Sequence, residues 1–279
     1  MSDLTLSSFL ASHPHNVLVA IDEAKGSTPR DRGAFMLVSR DAIWGTIGGG
    51  QFEFMAIDNA RAILAGSGMA AMDIPLGPEI GQCCGGRTHL SFRVVTPELA
   101  DLLEERQRQE ERGNPSVFLF GAGHVGLALA RALAPLPFSV TVVETRTDVL
   151  DGLPRQVKTR HVAMPEALVA EISAGGAAVI LTHDHALDFL IAREALSRPD
   201  LAYVGMIGSA TKRATFAHWL KRDGAPPQLM DRLVLPIGGS TVGDKRPAVI
   251  AALVAAELLT VLTDTAAARG AVRGSSADA

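Results

Sequence analysis

Apolar positions in the first third of the chain change period more than once. Short runs rich in Val, Ile and Leu at Asn16 to Ile21, Ala34 to Ser39 and Ala42 to Ile47 predict three strands, with Gly26-Ser27-Thr28-Pro29-Arg30 as the turn-forming loop between the first two. After Gly48-Gly49-Gly50 the spacing becomes helical: Phe52, Met55, Ala56, Ala60, Ile63 and Leu64 recur on one face until Gly66 ends the pattern. Leu90 to Val95 predicts another strand. Pro97 then opens a helix that becomes heavily charged from Glu104 to Arg112, and this tract with Gly113-Asn114-Pro115 is the expected linker.

Beyond Ser116 strand and helix alternate. Val117 to Phe120 is a buried strand, Val125 to Leu133 a helix, and Ser139 to Glu144, Ala177 to Thr182 and Ala202 to Ile207 are further strands with helical stretches between them. This alternation predicts a doubly wound parallel sheet, Rossmann-like, closed by a last helix from Pro247 to about Leu262. The expected fold class is therefore α/β: a small mixed α/β amino-terminal domain over residues 1–112, the Rossmann-like sheet over 116–264, and a flexible tail over 265–279. There is no internal repeat.

Composition narrows the partners. With 279 residues, 47% hydrophobic and 20% charged, the chain has the content of a globular protein with a sizeable core rather than a disordered one. A formal net charge of -4 gives no basic footprint, which argues against nucleic acid or an anionic membrane as partner. Met1 to Asn16 lacks the basic cluster and apolar run of a secretory signal, and Ala248 to Leu262 is too short for a bilayer and contains Glu257. No export signal and no spread of cysteines point to the reducing cytoplasm.

The two cysteines, Cys83 and Cys84, are adjacent in Gly81-Gln82-Cys83-Cys84-Gly85-Gly86. A vicinal disulfide would crosslink almost nothing, whereas glycines on both sides allow a concave turn whose amides lower a thiol's pKa or hold an anion. A soft metal is one reading and a small buried hydrophobe the bland one; zinc lacks a second cysteine pair. In Gly121-Ala122-Gly123-His124-Val125-Gly126 the glycines follow a buried strand and open a helix, and Glu144 ends the next strand. Gly121 suits a tight turn, Gly123 a close approach to phosphate, Gly126 close helix packing, and Glu144 the hydroxyls of a ribose. Gly48, Gly49 and Gly50 form either an anion nest or an ordinary helix start with Glu53 on its dipole. His183-Asp184-His185 reads mainly as a helix cap at Asp184, and Ser209 with Lys212 and Arg213 as either an anion site or a solvated helix turn.

Taken in order, the Gly26 loop, the Gly48 helix start, the cysteine loop, the Gly121 loop, Thr182-His183-Asp184-His185, Ile207-Gly208-Ser209 with Lys212-Arg213, and Pro236-Ile237-Gly238 resemble the xanthine dehydrogenase accessory family, XdhC/CoxI, over nearly the whole chain. The resemblance implies a molybdenum cofactor chaperone with no turnover of its own. Such proteins hold the molybdopterin form, protect it while an L-cysteine desulfurase installs the terminal sulfido ligand, and deliver it to the molybdenum subunit of xanthine dehydrogenase. On this resemblance Cys83 and Cys84 face the metal, Gly48, Gly49, Gly50, Gln82, Gly121, Gly123, Gly126, Glu144, Ser209 and Lys212 bind the cofactor, and the chain is a homodimer. Two rivals stand beside it: an NAD(P)-dependent oxidoreductase, for which the Gly121 loop and Glu144 argue, and a nucleotide-gated thiol redox sensor.

Overall fold

The computed structural model of the chain describes residues 4–78, 85–146, 149–150 and 152–274. The chain divides into two compact units, Met1–Gln109 and Glu110–Ala279. Among the described residues no helix is long and apolar enough to cross a membrane.

The first unit is built on an antiparallel sheet. Strand β1 (Asn16–Lys25) lies at its centre between β2 (Phe35–Ser39) and β5 (Arg87–Val94), with β3 (Ile43–Gly45) outside β2 and β4 (Ala71–Pro75) outside β5. Successive side chains on a strand face opposite ways, so one strand feeds two cores. Val17, Val19 and Ile21 of β1 pack with Phe52, Ala56, Ile57 and Ala60 of α2 (Gly50–Leu64). Leu18 and Leu37 turn to the other face, against Leu6 and Phe9 of α1 (Leu6–Ser12) and Leu103 of α3 (Pro97–Gly113). The charged tract of the expected linker is helical as far as Gly113, and Asn114 and Pro115 lead out of the helix into the next strand. Arg108 pairs with Glu104 and Glu105 along the helix, while Arg106 donates to the Gly33 carbonyl at 3.1 Å and lies 5.5 Å above the Phe35 ring.

The second unit is a six-stranded parallel sheet in the order β11-β10-β9-β6-β7-β8. Its strands are β6 (Ser116–Phe120), β7 (Ser139–Glu144), β8 (Lys158–His161), β9 (Ala177–Ile180), β10 (Tyr203–Met206) and β11 (Leu233–Val234). Counted within the unit this is the order 3-2-1-4-5-6 of a dinucleotide-binding sheet, with its switch point between β6 and β9. Helices α4 (His124–Leu133) and α7 (Pro247–Gly274) cover one face, where Leu129 and Leu133 meet Val254 and Leu258. Helices α5 (His185–Leu196) and α6 (Ala210–Arg222) cover the other, with Phe189 and Phe216 in contact at 5.0 Å between centroids. The expected α/β fold class is the observed one.

Candidate functional site

Three glycine-bearing segments, far apart in sequence, come together in the first unit. A Cβ on Gly86 would lie 2.2 Å from the Ser27 carbonyl oxygen, and one on Gly26 would lie 3.3 Å from Gly86 Cα. A Cβ on Gly48 would lie 2.5 Å from Pro29 Cβ. The Gly26 to Arg30 loop thus touches both the Gly48 turn and the base of the cysteine loop. That base is fixed: Gly85 N donates to Leu76 O and Leu76 N to Gly86 O, each at 2.8 Å, which closes the β4 to β5 connection at its root. Gln82, Cys83 and Cys84 themselves lie outside the described residues.

The Gly48 turn has an anion of its own. Gly48, Gly49 and Gly50 have φ of 132°, 77° and 70°, a conformation that favours glycine. Their curl aims the amides of Ile47, Gly48 and Gly49 at Glu53 Oε2, at 2.9, 3.3 and 3.1 Å, and the Thr46 hydroxyl donates to the same oxygen. Burial alone would raise the Glu53 pKa, but these four donors outweigh it and hold the carboxyl below its ordinary value. For these amides the structure matches the reading in which Glu53 closes the helix start.

At the carboxyl edge of the parallel sheet the Gly121 loop runs from β6 into α4. Gly121 has φ of 118°, and a Cβ there would lie 2.5 Å from the Leu181 carbonyl; a Cβ on Gly126 would lie 2.1 Å from the Gly121 carbonyl. Both are demanded by the protein's own packing. Gly123 differs, because a Cβ on it would meet nothing within 4 Å, and as the N-cap of α4 it brings no side chain to the helix start. The space beside it is open at a helix N-terminus, where unpaired amides favour an anion. Glu144, 4% exposed at the end of β7, ties the loop down by accepting from Ala122 N at 2.8 Å. Burial would raise its pKa, yet Arg146 and the amides of Ala122, Thr145 and Arg146 bring it down to about 2.

The neighbouring loops are held by a buried pair that composition and motifs did not single out. Asp188, fully buried on α5, receives Lys212 Nζ from α6, and its other oxygen accepts from Thr182 N at 3.1 Å and Thr182 Oγ1 at 2.7 Å. Lys212 Nζ also donates to Ile207 O at 2.9 Å. Lys212 was expected at the cofactor; the structure gives its ammonium two protein partners, Asp188 on α5 and the Ile207 carbonyl just past β10. Asp184 caps α5 by accepting from Ala186 N at 2.8 Å, and Ser209 is the N-cap of α6. Asp188 had a signal in sequence: it lies on the stripe Asp188, Ile191, Ala192, Ala195, where a charge breaks an apolar face.

Residues 10–74 match the model of the XdhC and CoxI family, and residues 117–258 match that of the XdhC Rossmann domain. The chain belongs to the XdhC family. A curated relative, the uncharacterized protein YqeB of Escherichia coli (strain K12), is 27% identical over 260 residues, covering 88% of this chain and 43% of the relative. The chain thus spans less than half the length of that relative. A crystal structure described as a xanthine dehydrogenase from Bacillus halodurans aligns with a TM-score of 0.76 over 93% of this chain and 95% of that one, at 17% identity, which shows a shared fold.

Within this XdhC-family chain each unit therefore has its own candidate site. The first gathers the Gly26 loop, the Gly48 turn and the root of the cysteine loop; the second gathers the Gly121 loop, Glu144, Thr182, Ser209 and Lys212 at one sheet edge. Among the described residues no group of three or more His, Cys, Asp or Glu could hold a metal ion. Cys83 and Cys84 lie outside those residues.

Proposed function

We propose that the chain is a molybdenum cofactor chaperone, which holds the molybdopterin form, protects it while an L-cysteine desulfurase adds the terminal sulfido ligand, and delivers it to the molybdenum subunit of xanthine dehydrogenase. The observation that carries this reading is the pair of XdhC family matches, in chain order, over both units. The chemistry available fits the group in two parts. The open space at Gly123 beside the start of α4 suits a phosphate, and two adjacent thiols suit molybdenum with sulfur ligands. When bound, the cofactor supplies the metal centre that the recipient enzyme needs; the chain's own residues hold its phosphate and its soft ligands and keep water away.

A chaperone's benefit appears in another protein. Sulfurated molybdenum cofactor supplied with this chain to cofactor-free xanthine dehydrogenase should raise that enzyme's activity above cofactor supplied alone or with an unrelated protein. Equal activation by the unrelated protein, together with substrate-dependent NADH production by this chain alone, sinks the chaperone reading and favours the oxidoreductase. Nucleotide binding at the Gly121 loop is a second reading for the second unit, favoured by the 3-2-1-4-5-6 strand order.

A further inference from the structure

Thr88 on β5 is fully buried, and its hydroxyl has no hydrogen-bond partner in the fold. A buried polar group left unpaired carries its full desolvation cost, and Val, of nearly the same shape, would suit the strand without that cost. Asn59, buried on α2 of the same unit, shows the usual solution: its amide donates to Met69 O and accepts from Met69 N, each at 2.9 Å. Thr88 instead has Ala24 of β1 and Ile74 of β4 beside it across the ladder. Side chains alternate along β5, so Thr88 shares the face of Leu90 and Phe92, which pack with Phe52 and Ala56 of α2. Gly86, bonded to Leu76 N through its carbonyl, lies one side-chain step back along that face, and there the Ser27 carbonyl stands 2.2 Å from the place of its Cβ. The unpaired hydroxyl is thus next to the crossing of the Gly26 loop over the root of the cysteine loop. That root has open space on both sides: among the described residues, a Cβ on Gly77 or on Gly85 would meet nothing within 4 Å.

We propose that Thr88 is a binding residue of the first unit's site, and that its hydroxyl donates to an uncharged ring nitrogen or carbonyl of a pterin. The proposal rests on the reading of the chain as a molybdenum cofactor chaperone. The class of acceptor follows from the surroundings. A phosphate dianion brought among Ala24 and Ile74 gives up its hydration for one neutral donor, a large net cost. An uncharged heterocyclic acceptor gives up far less water and gains a hydrogen bond strengthened by the low local dielectric. Stability forgone at Thr88 returns when the ligand pairs the hydroxyl, so the residue serves affinity and selection rather than the fold.

Calorimetric titration of the full chain with the molybdopterin form of the cofactor tests this, with the melting temperature of each variant measured alongside. Thr88→Val should weaken binding about fivefold or more, at a melting temperature equal to or above that of the wild type, because the hydroxyl has no partner in the fold to lose. Thr88→Ser keeps the hydroxyl and drops the methyl, so it should bind within about twofold of the wild type even where it melts lower. Added inorganic phosphate should leave the ratio of wild-type to Thr88→Val affinity unchanged; a ratio that collapses with phosphate assigns the hydroxyl to a phosphate and overturns the uncharged acceptor. Equal affinity in the wild type and Thr88→Val, or equal losses in the Val and Ser variants, overturns the proposal. So does a Thr88→Val protein that melts well below the wild type or fails to fold, since the hydroxyl then belongs to the fold. In all these cases the chaperone reading stands. Wild-type protein that binds no cofactor overturns the proposal and the chaperone reading together.

Discussion

Gly86 lies so close to Ser27 that a Cβ would stand 2.2 Å from the Ser27 carbonyl oxygen and 2.7 Å from that of Lys25. Both obstacles are backbone, so the neighbour cannot simply rotate away. Gly86→Ala should destabilise the first unit by about 1–3 kcal/mol, the usual range for overpacking, read as a lower urea midpoint at unchanged slope. It should also pull the root of the cysteine loop off the Gly26 loop and lower molybdenum retention.

Gly121 and Gly123 should part company on mutation. Gly121→Ala meets Leu181 O at 2.5 Å in a positive-φ conformation and should cost about 2 kcal/mol or more in stability. Gly123→Val meets open space at φ of -70°, so thermal stability should hold while phosphate-ligand affinity falls at least tenfold. Equal loss of stability in the two variants contradicts the distinction.

The two thiols should matter to the metal and not to the fold. Cys83→Ala and Cys84→Ala, singly or together, should reduce the molybdenum copurified from a cofactor-competent host, measured by mass spectrometry, with the melting temperature unchanged. Full retention in the double variant removes the thiols from the metal site.

How far the sequence alone reaches is seen in the sheets. Buried strands such as Val117 to Phe120 are continuous apolar runs and were legible, as were the Gly121 turn and the Asp184 cap. The edge strands of the parallel sheet were not: β8 is Lys158-Thr159-Arg160-His161, exposed at every position, and β11 has two residues. Their pairing comes from neighbouring backbone, which leaves no side-chain period to read. Lys212 was legible as a cation near the sheet edge, but its partner required the fold, since Asp188 lies one helix earlier in the chain.

That pair carries its own prediction. Asp188→Ala leaves a buried ammonium without its carboxylate and should cost about 3–5 kcal/mol in unfolding free energy. Asp188→Ala with Lys212→Met removes both charges and should recover much of the loss, so a double-mutant cycle measures the coupling. Additive losses would mean that the two side chains act independently.

Acid should act through Glu144. Its folded-state pKa, about 2, lies below the ordinary 4.5, so its contribution is fully present above 4.5 and is lost as pH falls from there through 2. Wild-type stability should decline across that window. Glu144→Gln should be less stable at neutral pH, by ~3 kcal/mol at most, and flatter between pH 5 and 2, checked by urea midpoints at each pH.

The strand order also dictates how the second unit is made. β6 pairs with β7 on one edge, while its other edge waits for β9, which begins only at Ala177. During synthesis that second edge of Val117 to Phe120 therefore stays open beyond the release of β7 and β8, until β9 has emerged, and an open apolar edge invites pairing between nascent chains. A protein halted after His161 should accordingly be found in inclusion bodies, and the span between β8 and β9 sets how long every full-length molecule passes through that vulnerable state.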